Sequence, residues 1–221
     1  NWEKAKLLPI GVDVHEYKKQ TDNNKIKKQW NIQDNARLII SVANMIPVKG
    51  IEVLIKAFEQ LTADYPDWKL MIVGDDTTEY GIELKHNLSE NPDVMDKVIF
   101  TGKQKNVREF LDISEIYVQT TLNQGRMEGA PIAILEAMAN GKVVIGSDIP
   151  GIRDQLEQFS NHLFEAGNIS DLSEKLVCFM SNDKTTNLNI GDIFFDFVEK
   201  TFDISFEKKN IELYYKNLMQ N

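Results

Sequence analysis

The sequence predicts an α/β domain built on a doubly wound parallel sheet of about six strands, with helices on both faces and a helical extension at the C-terminus. Three observations carry that prediction. Short β-rich runs alternate with longer helical patterns along most of the 221 residues, which is the signature of repeated βαβ units. The runs are almost continuously apolar, as strands covered on both faces are. After "SNDKTTNLNIGD" the pattern changes to two helical segments with no strand between them.

The elements follow in order. The strands are "RLIISVA" (37–43), "KLMIVG" (69–74), "KVIFTG" (97–102), "EIYVQTT" (115–121), "KVVIGS" (142–147) and, with a weaker pattern, "NHLFEA" (161–166). Between the first two, Ile51, Leu54, Ile55, Phe58 and Leu61 recur at the spacing of one helix face, and Pro66 closes the segment. The spacing predicts further helices over 77–89, 106–113, 131–140, 150–158 and 170–182. The last two helices are "IFFDFVEKTF" and "SFEKKNIELYYKNLMQ", where Ile211, Tyr214, Tyr215 and Leu218 form one apolar edge that needs cover. The polar run "KKQTDNNKIKKQ" (18–29) reads as a solvated loop.

Composition narrows the function classes. At 42% hydrophobic and 27% charged the chain has enough apolar material for a substantial core. A net charge of −9 argues against a general nucleic-acid or anionic-membrane surface, since both partners are negative. Cys178 is the one cysteine, so no internal disulfide forms; its apolar neighbours suggest a buried, reduced thiol and a cytoplasmic setting. No run approaches the ~18 apolar residues of a membrane helix, and "NWEKAKLLPI" is unlike a signal peptide. A chain that begins with Asn1 is expected to be a piece of something longer.

The stretch "EGAPIAILEAMANG" (128–141) raises a physical question, because it places two glutamates around a run suited to burial. A buried charge costs several kcal/mol unless a partner or ligand compensates it. Eight helical steps would leave Glu128 and Glu136 about 80° apart and about 12 Å apart along the axis, too far to act as a pair. Gly129 and Pro131 instead start the helix at Pro131, whose missing N–H is harmless in the first turn, and Gly141 ends it. Glu128 then sits in the entering loop and Glu136 inside the helix. Open parallel sheets bind ligands at the carboxyl ends of their strands, and a helix start offers free amides to an anion. The donors here are the amides near Ala130, Ile132 and Ala133. With phosphate at that point, Glu128 and Glu136 can each accept from hydroxyls on either side, as a nucleoside diphosphate sugar presents. The alternatives are a solvated or capping Glu128, a buried ion pair at Glu136 and a plain surface lysine at Lys49.

Residues 128–136 match the E-x7-E element of retaining GT-B glycosyltransferases, and "EGAPIAILEAMANGKVVIGSDIPG" resembles glycosyltransferase family 4. "PIGVDVHEYKK", "SVANMIPVKGIEVLIKAF", "LMIVGDD" and "VIFTGKQKNVREFLDISEIYVQTT" resemble the flanking units in the same order. The resemblance implies one Rossmann-like half of a GT-B fold, the half that holds the donor. Residues 1–187 would form that domain, with 1–14 entering from an N-terminal domain outside the chain and 188–221 packing back toward it. Carried over, Glu128 meets hydroxyls of the transferred sugar, Glu136 the ribose hydroxyls and Lys49 the diphosphate, while Gly129 lets the backbone approach and Gln104 lies where main chain meets the base. Lys49 and Glu128 would carry the catalytic roles. The implied partners are a nucleoside diphosphate sugar and a glycan or lipid-linked acceptor, with any membrane contact made through the other half.

The chain departs from the pattern at Asn44, where the family often has arginine, at Pro131 in place of a second glycine and at Val143 in place of a proline. One positive charge is missing, which loads diphosphate binding onto Lys49 and the helix amides. No metal and no cofactor are expected, because no two aspartates lie two positions apart and no G-x-G-x-x-G follows the first strand. Asp75 and Asp76 read as a strand-end turn and helix cap; His15, His86 and His162 as surface or turn residues; Arg126 and Arg153 as surface ion pairs. The alternative function is a non-catalytic nucleotide-sugar binding or assembly module.

Overall fold

The computed structural model describes residues 10–17, 23–124 and 129–219. Six strands form one parallel sheet in the order β3-β2-β1-β4-β5-β6: β1 (Arg37–Val42), β2 (Trp68–Val73), β3 (Val98–Phe100), β4 (Ile116–Gln119), β5 (Val143–Ser147) and β6 (Leu163–Phe164). β1 and β2 pair without a slip from Arg37 opposite Trp68 to Val42 opposite Val73. Ile39 and Ile40 of β1 pair with Ile116 and Tyr117 of β4 on the other side. All six expected strands are present; five are shorter than expected, and β2 is shifted one residue earlier.

The strands alternate between two apolar layers, as a period of two residues dictates. On one face Ile39, Leu70, Ile72, Ile116 and Val118 meet α3 (Ile51–Glu59), α4 (Glu79–Ser89), α5 (Pro92–Met95) and α9 (Ile169–Met180). On the other, Leu38, Ile40, Met71, Tyr117 and Val144 meet α6 (Arg108–Asp112), α7 (Ile132–Ala139), α8 (Pro150–Gln155) and α10 (Lys184–Thr201). The same second face receives α1 (Val14–Tyr17) through Val14 and α2 (Asn23–Gln29) through Ile26. α3 illustrates the energetics: Ile51, Leu54, Ile55, Ala57 and Phe58 are all buried, and each large apolar side chain so covered contributes about 1.5–3 kcal/mol.

At the amino edge of the sheet Arg37 ties three elements together. Its Nη2 lies 2.6 Å from Glu115 Oε2, its Nη1 donates to the Asn182 carbonyl at 2.7 Å, and the guanidinium sits 4.2 Å over the Trp68 ring. α7 ends as expected at Gly141, whose φ of +66° allows the Lys142 amide to reach the Ala137 carbonyl at 3.0 Å and the Gly141 amide to reach Met138 at 2.9 Å.

Several expectations are corrected. The run 18–29 is not all loop: its described part, 23–29, is the helix α2, anchored by Ile26. Cys178 is exposed, because α9 turns Leu172, Leu176, Phe179 and Met180 inward and leaves position 178 outward. His162 is buried, stacked 4.7 Å from Phe179 and edge-on to Phe194 at 4.9 Å. The helix after β2 is capped by Thr78, whose side chain accepts from the Gly81 amide, while Asp75 accepts from Thr77 and Asp76 pairs with Lys85 at 2.8 Å. Pro131 precedes α7 as its N-cap, not as its first helical residue. The helix expected from 193 begins at Lys184, and α10 buries Phe194 and Val198 in the core beneath the sheet. α11 (Ile204–Met219) joins the body through Val12, which bridges Asp203, and through Glu207, which accepts from the Gly11 amide at 2.8 Å. On α11, Tyr215 is exposed and Ile211 half-buried; the side chains of Tyr214 and Leu218 lie outside the described residues. Among the described residues no helix is long and apolar enough to cross a membrane.

Candidate functional site

The site begins with topology. β1 and β4 are neighbours, yet β1 leads to α3 on one face and β4 leads to α7 on the other. The two connections diverge at their carboxyl ends and leave a crevice there, the switch point at which parallel sheets take ligands.

Lys49 stands on one wall. It ends the 3-10 turn Pro47–Lys49, and two long-range hydrogen bonds fix that turn to the extension of β4: Thr120 Oγ1 donates to the Lys49 carbonyl at 2.8 Å, and the Leu122 amide donates to Val48 O at 2.8 Å. Gly50 makes the approach possible. Its φ is +63°, and a Cβ there would lie 2.2 Å from the Thr120 carbonyl oxygen. The first connection is therefore anchored to the strand that feeds the second.

The entry to α7 forms the other wall. Gly129 and Ala130 are exposed, and Ile132 at the first helical position is 44% exposed despite its apolar side chain. No side chain caps the helix, and a Cβ on Gly129 would meet nothing within 4 Å. Gln155 Nε2 donates to the Pro131 carbonyl at 3.2 Å and holds the turn from behind. Uncapped first-turn amides facing solvent can serve an anion.

The remaining rim is braced by polar side chains. Asn44 Oδ1 accepts from the Asp75 amide at 3.2 Å, Thr78 donates to the Met45 carbonyl, and Gln104 Nε2 donates to the Thr101 carbonyl at 2.6 Å. Along β4, Gln119 links Tyr117 to Thr121, and Ser147 Oγ donates to the Thr121 carbonyl at 2.7 Å. Arg153 pairs with Asp148 at 2.5 Å, as a surface ion pair was expected to. A separate cavity of about 670 Å³ opens beyond β5 and β6, lined by Asn123, Asp148, Arg153, Glu157, Glu165 and Asp171 among others. Among the described residues, none of those expected to bind a donor lines it.

Glu136 is half-buried on α7, and burial pushes its carboxyl above the usual carboxylate range. The neighbour that counteracts that rise is Tyr17, not the lysine of the ion-pair alternative. Burial, followed by the Glu136 charge, raises the Tyr17 phenol far above its ordinary range. Tyr17 falls within "PIGVDVHEYKK", and nothing in the sequence spacing ties position 17 to position 136. Glu128 and Arg126 lie outside the described residues. So Lys49 lies on the connection that leaves β1, Gly129, Ala130 and Ile132 on the connection that leaves β4, Gln104 follows β3, and Glu136 lies within α7. Among the described residues, no three His, Cys, Asp or Glu side chains cluster as metal ligands.

Comparison with known proteins bears on this geometry. The chain is 28% identical over 182 residues to the N-acetyl-alpha-D-glucosaminyl L-malate synthase of Bacillus anthracis, covering 82% of this chain and 45% of that protein. Its fold matches a glycosyltransferase from Rickettsia africae with a TM-score of 0.85 at 21% identity, over 97% of this chain and 57% of the other. It matches Anabaena Alr3699/HepE, solved with UDP and glucose, with a TM-score of 0.82 at 21% identity, over 94% of this chain and 56% of the other. The chain thus spans about half the length of these relatives, and its fold is one Rossmann-like half of a GT-B glycosyltransferase. The profile described as "Glycosyl transferases group 1" matches residues 22–190, and the chain belongs to that family of glycosyltransferases.

Proposed function

We propose that the chain is the donor-binding half of a retaining, metal-independent glycosyltransferase of the family 4 type, which moves a hexose-type sugar from a nucleoside diphosphate sugar to a glycan or lipid-linked acceptor. The observation that carries the reading is the β1–β4 crevice, with the Lys49 loop hydrogen-bonded to one side and the uncapped start of α7 on the other. The diphosphate lies between them. Lys49 and the first-turn amides take up charge as the nucleoside diphosphate departs, the effect that usually supplies the largest share of catalysis. Glu136 accepts from the ribose hydroxyls, Gln104 stands near the base and Glu128 meets the sugar hydroxyls. The acceptor hydroxyl attacks on the face from which the leaving group departs, so no protein nucleophile is required. The Anabaena neighbour, solved with UDP and glucose, supports a nucleotide-sugar ligand.

Transfer assays on the intact protein test the reading. A product that keeps the donor's anomeric configuration supports it, and an inverted product overturns it. Donor binding with no transfer to any acceptor supports the non-catalytic module, to which Asn44 lends weight because its side chain is held by Asp75 in place of a phosphate-binding cation. Glu128→Ala is expected to erode the preference among sugars while free nucleotide still binds.

A further inference from the structure

At the end of the sheet opposite the β1–β4 crevice, a cavity of about 300 Å³ opens beside the amino ends of β4 and β5. Its lining gathers Lys142 before β5, Lys184 from the first turn of α10 and Lys27 from α2, together with Asn23, Asn24 and Asn187. In a chain of net charge −9, three lysines around one small cavity reverse the local sign.

Two carboxylates also line the cavity, and each is held by a cation other than these lysines. Glu115 takes the Arg37 guanidinium on both oxygens, at 3.1 Å on Oε1 and 2.6 Å on Oε2. Asp112 accepts from Asn140 Nδ2 at 2.6 Å and faces Arg108 Nε at 3.8 Å. The lysines meet only neutral groups among the described residues: Lys27 Nζ donates to the Asp34 carbonyl at 3.2 Å, and Lys142 Nζ to the Asp112 carbonyl at 3.4 Å. The cavity thus keeps a surplus of positive charge.

Lys142 points most directly to a ligand. It is 8% exposed, its ammonium carries three donors, and its one contact is longer than an ordinary N–H···O bond. A buried charge so thinly partnered is costly, and an anion would compensate it. The groups that act electrostatically on it, Asp112, Glu115 and Lys184, all line the same cavity. The walls are already fixed, since Asn187 donates to the Phe179 carbonyl at 2.9 Å and accepts from Asn182 at 3.1 Å. The two carboxylates add a preference among anions. A hydrogen phosphate can present its O–H to a carboxylate or carbonyl, whereas sulfate has no donor and meets them only with repulsion.

We propose that this cavity is a second anion site, which takes inorganic phosphate on Lys142 and Lys184 with Lys27 at its rim. The inference does not depend on the donor-site reading, because the two sites lie at opposite ends of the strands.

The test is calorimetric titration of the intact protein with inorganic phosphate, in chloride of constant ionic strength at neutral pH, for wild type, Lys49→Ala, Lys142→Met and Lys184→Ala. Wild type and Lys49→Ala are expected to bind with equal affinity. Lys142→Met should weaken binding roughly tenfold or more, the scale of one charge-assisted hydrogen bond, and Lys184→Ala several-fold. Lys184 is exposed, so its truncation leaves the core intact and keeps the test decisive if Lys142→Met folds poorly. Sulfate should bind the wild type several-fold more weakly than phosphate. Absence of saturable phosphate binding overturns the proposal, and so does binding that is lost in Lys49→Ala but kept in Lys142→Met and Lys184→Ala, which would put the phosphate at the crevice. Sulfate binding as tight as phosphate overturns the choice of ligand.

Discussion

Lys142 enters β5 almost wholly buried, with its ammonium 3.4 Å from the Asp112 carbonyl. Burial pushes its pKa down from 10.5 to about 8. The unfolded chain therefore binds the proton more tightly than the folded one between those values, and stability rises with pH across that window. Below about pH 8 the full cost of the buried charge, about 3 kcal/mol, remains. Lys142→Met is expected to stabilise the fold by roughly 1–3 kcal/mol at pH 7 and by much less at pH 10.5. Denaturant melts at the two pH values check this, and an equal gain at both would refute the burial account. His162 has the same sign in the acid range. Its Nδ1 donates to the Val144 carbonyl at 2.9 Å, and burial among aromatic rings pushes its pKa from 6.5 to about 4. Stability should fall by about 3 kcal/mol as pH drops from 6.5 to 4, and His162→Asn should flatten that slope in melts over the same range. Neither histidine burial nor the Tyr17 neighbour of Glu136 was legible in the sequence, since Phe179, Phe194 and Glu136 are distant along the chain. Cys178 was legible: the spacing of Leu172, Leu176 and Phe179 already turns it outward, but its apolar neighbours drew the reading inward.

At the scale of elements, close backbone approach decides two joints. Gly50 lets the turn after β1 lie against the Thr120 carbonyl, and alanine there would combine an unfavourable positive φ with a 2.2 Å contact. Gly50→Ala is expected to destabilise the fold by about 2 kcal/mol or more and to weaken nucleoside diphosphate binding, measured by thermal melts and calorimetry. Normal stability with normal binding would show that the Lys49 turn is not held as described. Gly191 of α10 passes the carbonyl of Gly141 so closely that a Cβ would lie 1.9 Å from it. Gly191→Ala should cost about 1–3 kcal/mol by levering α10 off the end of α7, and a melt within about 0.5 kcal/mol of wild type would contradict it. The strands were readable because β1, β2, β4 and β5 are apolar on both faces. α2 was not, because Ile26 is its single buried residue and the lysines and asparagines around it look the same in a loop. α10 was missed over its first turns for a similar reason: "KTTNLN" is polar, and its cap at Asp183, which accepts from the Thr186 amide, is a three-residue signal inside a loop-like run.

Across the whole molecule, alternating strands and helices gave the fold class, but the strand order and hence the crevice between β1 and β4 emerge only from the pairing. That crevice competes with the cavity beyond β5 and β6, whose acidic lining of Asp148, Glu157, Glu165 and Asp171 suits a diphosphate poorly. Lys49→Ala should lower nucleoside diphosphate affinity roughly 10- to 100-fold, the scale of a charge-assisted contact, with the melt unchanged. Amide hydrogen exchange on the intact protein, with and without its tightest-binding nucleoside diphosphate, separates the two locations most directly. Binding at the crevice predicts protection of residues 44–50 and 129–134. Protection confined to residues 148–171 would contradict it.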